Sequence, residues 1–515
     1  MSDAATSLCI SSLLEQAVAR YSDATALITT KERLSYRQLD EQSRQLAGYL
    51  QANGIRRGER IALHLRNSAE YVIADLAILK LNAVKVPLNE LMAPSELEYC
   101  LKHSKASAII SHASLPIASG GTGHLKVRIS VADEEPAHCD WTNWTDAASH
   151  IGTFEIGPAP EPRDIALIAY TGGTTGSPKG VQHEQHGLAV NLLAHVIFGD
   201  IRSDEVMLLT TPLPHSAGYH LQACLLQGGL IVLAPRFDPE SFLALAEKYK
   251  ATWTFAVPTM LYRLLDYLSA TQQQPSCLRT IVYGAAPMNK ERLTEGLDVL
   301  GPVFLQLFGQ TECPNYITTL SKIDHLNPEL LASCGRPVAM LDLRIRKADG
   351  SIAEPGEVGE VEVRSPYNLT EYFEDPEATR LAIKKGWLLT GDLGYLNRNR
   401  YLFLVDRAKD MIISGGMNVY CVEVEAALRQ HPSVCDAAVI GMPDPDWGEA
   451  VIAFITMITI TMITVVSESD VREFAKTLLS GYKVPKRVIV VESLPVTKFG
   501  KIDKKALRSS LSLRV

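Results

Sequence analysis

Six apolar residues, Ile165 to Tyr170 (IALIAY), run without a break into Thr171-Gly-Gly-Thr-Thr-Gly-Ser-Pro-Lys179-Gly180. The run is short for a helix and has the length of a buried strand. Beyond the strand, Gly172, Gly173 and Gly176 let successive backbone N–H groups converge on an anion, and the hydroxyls of Thr171, Thr174 and Thr175 add further donors. The combination predicts a polyphosphate loop at the end of a strand. It is not the G-x-x-x-x-G-K-[ST] loop, because Ser177-Pro178 separates Gly176 from Lys179 and a glycine follows the lysine. Alone, the stretch reads equally well as a flexible turn.

Later motifs decide between those readings. Phe308-Gly309-Gln310-Thr311-Glu312 supplies an aromatic face, a flexible glycine, a hydroxyl and a hard oxygen ligand, a set suited to a purine and a magnesium-bound phosphate. A Thr-Glu pair by itself reads as a helix-capping feature. Thr390-Gly-Asp392, followed by Asp406-Arg407 and Lys409, offers a carboxylate able to accept both hydroxyls of a ribose and a cation beside it. Taken singly, these are a turn aspartate and a surface ion pair. Gly500-Lys501, in Val496-Thr-Lys-Phe-Gly-Lys, is by itself exposed decoration.

The chain has 515 residues, beyond the size at which one hydrophobic core stops growing, so at least two lobes are expected. Amphipathic spacing predicts helices over Leu13 to Tyr21, Tyr36 to Leu50 and Ala69 to Leu79, with a strand over Arg60 to Leu65. Helices alternating with short apolar strands point to stacked βα units. Leu341 to Arg346 and Gly359 to Arg364 flank KADGSIAEPGEV and read as a β-hairpin region. Near Asp406 the texture turns to compact α+β, with a helix over Val422 to Gln430 and a strand over Ala437 to Gly441. The domain boundary is placed there, giving 1–405 and 406–515. Ile455 to Thr459 (ITMIT) is repeated unchanged at Ile460 to Thr464 and reads as a hairpin, a local duplication or a disordered loop.

In order and spacing, YTGGTTGSPKG, GAAPM (Gly284 to Met288), FGQTE, TGD, DRAKDMIISGGMNVY and FGKIDKKALR resemble the adenylate-forming superfamily of acyl-CoA synthetases, adenylation domains and luciferases, over about Ser12 to Arg508. The resemblance implies a mixed α/β fold. Its parts are a large N-terminal domain of stacked βα layers with a β-barrel-like subdomain, and a small, mobile α+β C-terminal domain hinged at Lys409. It implies ATP, Mg²⁺ and coenzyme A as reactants. Thr171 to Lys179 resembles the loop on the pyrophosphate end of ATP. Gly284, Ala285, Ala286, Pro287 and Phe308 are similar to the adenine walls, with Gly309 and Gln310 in the same motif. Thr311 matches the contact to the α-phosphate, Glu312 the magnesium ligand with Thr175 beside it, and Asp392 and Arg407 the ribose pair. Lys501 falls at the catalytic lysine, and Ser414, Gly415 and Gly416 in the loop that meets CoA. Departures are Gly172 where the family has serine, Cys421 in place of a proline and Met417 in place of a glutamate.

His215, in Pro212-Leu-Pro-His-Ser-Ala-Gly218, matches the mouth of the acyl pocket, with Tyr219, His220, Val257 and Met260 as apolar and aromatic surroundings. That allows an aryl or a medium-chain acid. His183 and His186 have no third ligand to complete a zinc site and are read as surface or loop histidines. Fourteen residues follow Lys501, so the thiol is expected to arrive in trans, from CoA or from a separate carrier protein. A nucleotide-binding scaffold without catalysis is the reading from another class, and a homodimer stays open. The net charge of -8 speaks against a nucleic-acid partner. The end of the chain is nevertheless basic, with ten Lys or Arg from Lys476 onward against Glu492 and Asp503. Nine cysteines without a CxxC, no basic segment ahead of an apolar stretch and no run near the ~18 apolar residues of a membrane span predict a cytoplasmic protein.

Overall fold

The computed structural model describes residues 8–116, 123–132, 140–152, 154–171, 178–273, 275, 277–407, 410–414, 417–444, 447–457, 467–497 and 502–512. By internal contacts the chain divides into two units, residues 1–342 with 364–388, and residues 343–363 with 389–515. The β-rich stretch on either side of residue 364 is therefore shared between them.

The first unit is built on two sheets. One runs in the order Thr142–Asn143, Val127–Val131, Ala106–His112, Arg60–His64, Val84–Pro87, Ile165–Tyr170, Gly180–Glu184, parallel throughout except for its last pair. The other has nine strands, in the order Arg336–Pro337, Cys313–Leu320, Phe304–Gln310, Thr280–Tyr283, Trp253–Ala256, Val206–Leu209, Leu230–Leu233, Thr25–Ile28, Arg33–Ser35. It is parallel in the middle and antiparallel at both ends. Parallel strands covered on both faces carry continuous apolar runs, which is why IALIAY shows no alternation. Helix Gln185–Phe198 touches strands of both sheets. Every residue of helix Ala69–Lys80 except Glu70 is buried, as expected of a helix without a polar face. It packs on helices Ile10–Arg20 and Tyr36–Ala52. Ser35 starts the latter with a reciprocal capping box to Gln38, and Ser68 caps the buried helix through Tyr71 N.

In the second unit, strands Asp342–Arg346, Gly359–Arg364, Trp387–Leu396 and Leu402–Arg407 lie side by side. A second sheet joins Met417–Val419, Ile412–Ser414, Gly448–Met457 and Val434–Asp444, with Arg487–Val490 on the Gly448–Met457 strand. Its alternation is clean. Ala437, Val439, Val451 and Ala453 pack under helices Cys421–Arg429 and Glu468–Leu478, while Ala438, Ile440, Ile452 and Phe454 pack under Lys504–Ser512. Of the repeated ITMIT only Ile455 to Met457 is described, as the end of that strand; residues 458–466 lie outside the described residues. Among the described residues no helix is long and apolar enough to cross a membrane.

Burying helix Ala69–Lys80 on every side also buries a charge. Asp75 Oδ1 lies 2.7 Å from Lys85 Nζ, and Asp75 Oδ2 accepts from Gln222 Nε2 at 2.8 Å. Removing one partner of a buried pair leaves an uncompensated ion, so Lys85→Met should lower the unfolding free energy by about 3 kcal/mol in a urea titration. Lys85→Met combined with Asp75→Leu should recover most of that loss. An equal loss in the double variant would assign the effect to packing rather than charge.

Candidate active site

Tyr170 pairs with Gly180, and Thr171 N donates to Lys179 O at 3.0 Å. The glycine-threonine stretch therefore joins two antiparallel strands, where a Walker loop leads into a helix. Gly172, Gly173, Thr174, Thr175 and Gly176 lie outside the described residues, between Thr171 and the exposed Lys179.

FGQTE is also a hairpin. Gln310 pairs with Cys313 across the antiparallel strands Phe304–Gln310 and Cys313–Leu320, so Thr311 and Glu312 are the two turn residues and no helix cap is involved. Three contacts hold this tip. Thr311 O accepts from His183 Nε2 at 2.8 Å, Glu312 O accepts from Leu369 N at 2.6 Å, and Glu312 Oε1 accepts from the Tyr372 hydroxyl at 2.8 Å. Tyr372 gets there because residues 370–373 extend the first sheet along Gly180–Glu184. Thr370 N bonds Gln182 O at 2.9 Å, Gln182 N bonds Glu371 O at 3.0 Å, and Phe373 N bonds Gly180 O at 2.7 Å. The Lys179 ammonium lies 4.9 Å from the centre of the same tyrosine ring. Lys179 and Glu312, far apart in sequence, thus meet on one phenol, and burial beside Glu312 pushes that phenol's pKa up.

His183 corrects the reading of it as a surface or loop residue. It is 1% exposed in strand Gly180–Glu184. The signal for it was its place two residues from Val181, on the same side of the strand. His186 is exposed, its Nδ1 3.2 Å from Leu8 O. Tyr372 was missed altogether; nothing local in the sequence marks it, since it reaches Glu312 only through pairing with strand Gly180–Glu184.

Gly284 to Pro287 leave strand Thr280–Tyr283, and a Cβ on Gly284 would stand 2.6 Å from Leu307 Cδ1 and Leu307 O. Gly309 is as constrained, since its Cβ would meet the Asn315 backbone at 2.6 Å. Ala285 holds φ +67°, a left-handed conformation that costs an alanine about 1 to 2 kcal/mol. Phe308 and Gln310 are half-buried.

His215 lies in the turn Leu213–Ala217 that opens helix Gly218–Gln227. Asn89 fixes it. Asn89 Oδ1 accepts from Leu91 N at 2.7 Å, so its amide nitrogen is the group 2.7 Å from His215 Nε2, which accepts. Burial holds the His215 pKa near 4, so the ring is neutral with its proton on Nδ1. Tyr219 is half-buried and stacks on His195, with centroids 5.6 Å apart. His220, by contrast, is 0% exposed against Trp253 and Phe255 and belongs to the core instead of a pocket wall.

In the second unit Asp392 and Arg407 stand opposite each other on neighbouring strands, with Arg407 Nε 2.6 Å from Asp392 Oδ1. Gly391 takes φ +70° beside them, and Thr390 Oγ1 receives Asp392 N at 3.1 Å. Asp406 accepts from Arg407 N at 2.7 Å and from Cys421 N, and burial raises its pKa. Ser414 pairs with Met417, its side chain fully buried. Lys409, Gly415, Gly416 and Lys501 lie outside the described residues. Val496 and Ile502, on either side of residues 498–501, form an antiparallel bridge.

The family model described as AMP-binding enzyme matches residues 14–373, and the one described as AMP-binding enzyme C-terminal domain matches residues 423–501. The chain belongs to the AMP-binding enzyme family. A feruloyl-CoA synthase of an Amycolatopsis species is 34% identical over 493 residues, 94% of this chain and 95% of that one. The medium/long-chain-fatty-acid–CoA ligase FadD8 of Mycobacterium tuberculosis is 37% identical over 356 residues, and the match covers 68% of this chain and 62%, less than two thirds, of the relative. Among solved structures, the amide bond synthetase McbA from Marinactinospora thermotolerans is similar with a TM-score of 0.86 and 30% identity, over 97% of this chain and 99% of that one.

In this AMP-binding enzyme, no group of three or more His, Cys, Asp or Glu among the described residues is arranged to cage a metal. A magnesium ion does not ask for one, since it takes one or two carboxylates together with phosphate oxygens and water. Glu312 fits that demand, oriented by Tyr372 through a single oxygen.

His64, His183, His195, His215 and His325 are all held near pKa 4, burial being the first cause for each. Their folded values lie below the ordinary 6.5, so between pH 6.5 and 4 the unfolded chain binds more protons than the folded one. Stability is then full above pH 6.5 and is lost as pH falls toward 4. Each histidine that stays neutral contributes a slope of up to about 1.4 kcal/mol per pH unit. Urea midpoints measured across this window should fall steeply, and His183→Gln, which keeps a donor for Thr311 O, should flatten the slope.

Proposed function

We propose that this AMP-binding enzyme activates a carboxylic acid with ATP and transfers the acyl group to the thiol of coenzyme A. In the first step a carboxylate oxygen bonds to the α-phosphorus and pyrophosphate leaves. In the second the thiol sulfur bonds to the acyl carbon and AMP leaves. The observation that carries this reading is the meeting of Lys179 and Glu312 on Tyr372, which brings a phosphate-loop cation and a hard oxygen ligand to one place.

The residues divide the work. Backbone N–H groups of the 171–179 loop and Lys179 hold the β- and γ-phosphates. Gly284 to Pro287 and Phe308 enclose the adenine, Thr311 contacts the α-phosphate, and Asp392 with Arg407 holds the ribose. Mg²⁺, held by Glu312 with Thr175, neutralises phosphate charge when bound. His215 presents its Nδ1 proton at the mouth of the acyl pocket, and Tyr219 forms a wall. Lys501 offsets the repulsion between carboxylate and α-phosphate. The segment 406–515 turns about Lys409 between the two steps, which takes Lys501 away and admits the thiol beside Gly415 and Gly416; since the Ser414 side chain is buried, its backbone is what remains for CoA.

The acid is an aryl or a medium-chain one. CoA is favoured as acceptor because one relative is named a fatty-acid–CoA ligase and another a feruloyl-CoA synthase, and the last forty residues are basic, suiting a phosphorylated acceptor. The likeness to an amide bond synthetase favours a second reading, in which an amine takes the acyl group from the same adenylate. Pyrophosphate release across aryl and aliphatic acids, followed by mass detection with CoA, an amine or a carrier protein, separates these. Release without acid dependence would mean ATP hydrolysis in place of acid activation, and no release with any acid would leave only a nucleotide-binding scaffold.

The two lysines should fail differently. Lys501→Ala should reduce acid-dependent ATP–pyrophosphate exchange by about 10² to 10³-fold while still converting supplied acyl-adenylate to thioester. Lys409→Pro fixes φ at the hinge, so exchange should persist while thioester formation collapses. Equal losses in both steps for both variants would rule out the swing.

A further inference from the structure

Ser216, next to His215, ends a chain of hydrogen bonds whose direction is fixed from its far end. His195 Nδ1 lies 2.7 Å from Asn191 O. A carbonyl oxygen only accepts, so Nδ1 carries the proton. His195 is 0% exposed among Tyr219, His220 and Tyr316 and is neutral at pH 7, so its Nε2 accepts. The group 2.8 Å from that nitrogen is therefore the amide nitrogen of Asn315, which also reaches Ser216 O at 3.5 Å. Asn315 Oδ1 is left to accept, and it receives the Ser216 hydroxyl at 2.7 Å.

The opposite amide orientation would aim the Asn315 oxygen at an unprotonated ring nitrogen. It is excluded, and Asn315, 7% exposed and at φ +60°, has its side chain held on both sides. Ser216 consequently turns its proton inward and keeps its lone pairs for whatever else it meets. Among the described residues no other partner of Ser216 Oγ is present. Ser216 is half-buried, and Tyr219, three residues on, lies flat on the same His195. This wall can accept a hydrogen bond and, at Ser216, cannot donate one.

We propose that Ser216 is a specificity-determining residue that accepts a hydrogen bond from a hydroxyl or amino group on the acid, so that the substrates are hydroxy- or amino-substituted carboxylic acids. The proposal rests on the reading of His215 and Tyr219 as the acyl pocket. A site built to receive a donor discriminates against the analogue that lacks it, because the acceptor is then desolvated without a partner.

The test uses the full chain and measures kcat/KM for pyrophosphate release with benzoate, with its ortho, meta and para hydroxy and amino derivatives, and with hexanoate and its hydroxy derivatives. At least one substituted acid should exceed its parent by tenfold or more. Ser216→Ala should bring that ratio toward one, whatever it does to the parent acid, and Ser216→Thr, which keeps the hydroxyl, should retain it. The proposal is overturned by parents turned over as well as every derivative, or by a preference that survives Ser216→Ala. Pyrophosphate release with none of the acids would instead overturn the acid-activating reading on which it stands.

Discussion

Two backbone carbonyls, those of Thr311 and Glu312, tie the active-site elements of the large unit together. They belong to the turn of a hairpin in the nine-stranded sheet, yet what holds them is the edge of the other sheet, His183 from strand Gly180–Glu184 and Leu369 from the segment laid along it. A two-residue turn left alone would be free to fray, and a carboxylate on it would have no fixed direction. Pinned at both carbonyls and at Glu312 Oε1, the turn is held by the same strand that begins just after Lys179. The placement of the Glu312 turn beside the strand that follows Lys179 is thus built into β-pairing.

Much of this was legible from residue types. IALIAY fixed a strand to the residue, and the 3.6 and 2.0 periodicities located the helices at Tyr36–Ala52 and Ala69–Lys80 and the strand at Arg60–His64 within a residue or two. What periodicity could not give was the partner of each strand. Nothing local in TGGTTGSPKG says that the chain turns back on itself, so the hairpin and the antiparallel pair that ends the parallel sheet came only from the structure. The same holds for Tyr372. Its role depends on pairing with a strand almost two hundred residues earlier, and a lone tyrosine carries no trace of that. His183 shows the reverse error: the lack of a third metal ligand beside it says nothing of the simpler use of a buried imidazole, which is to donate one hydrogen bond.

Of the departures from the family pattern, Cys421 has a local physical explanation. Cys421 is the first residue of helix Cys421–Arg429, a position that favours proline because its N–H has no helical partner. Here that N–H does have a partner, the Asp406 carboxylate, and a proline would remove it from a group that burial already pushes toward its neutral form. The Cys421 thiol, buried and with its pKa pushed up, donates to Asp410 O at 3.0 Å, so it behaves as a small packed donor instead of a reactive thiol. The cysteine serves both groups, and its presence follows from Asp406 and Asp410 rather than from any chemistry of sulfur.

Neutral histidines set the electrostatics of the candidate site. His183 and His195 are buried and His215 half-buried, each is engaged through hydrogen bonds, and each is without charge near neutral pH. An imidazole in that state directs polarity: it fixes which side of an amide faces it and passes that orientation on, as from Asn191 through His195 and Asn315 to Ser216. It cannot neutralise an anion. At His215, which the reading places at the mouth of the acyl pocket, the neutral ring therefore supplies no countercharge. The attack of a carboxylate on a phosphate brings two anions together, and a neutral pocket leaves that repulsion standing. In the proposed mechanism the missing charge comes from lysine and from the metal ion proposed at Glu312, which is the physical basis of the separate roles proposed for Lys179 and Lys501 and the reason a histidine in this pocket is no substitute for either.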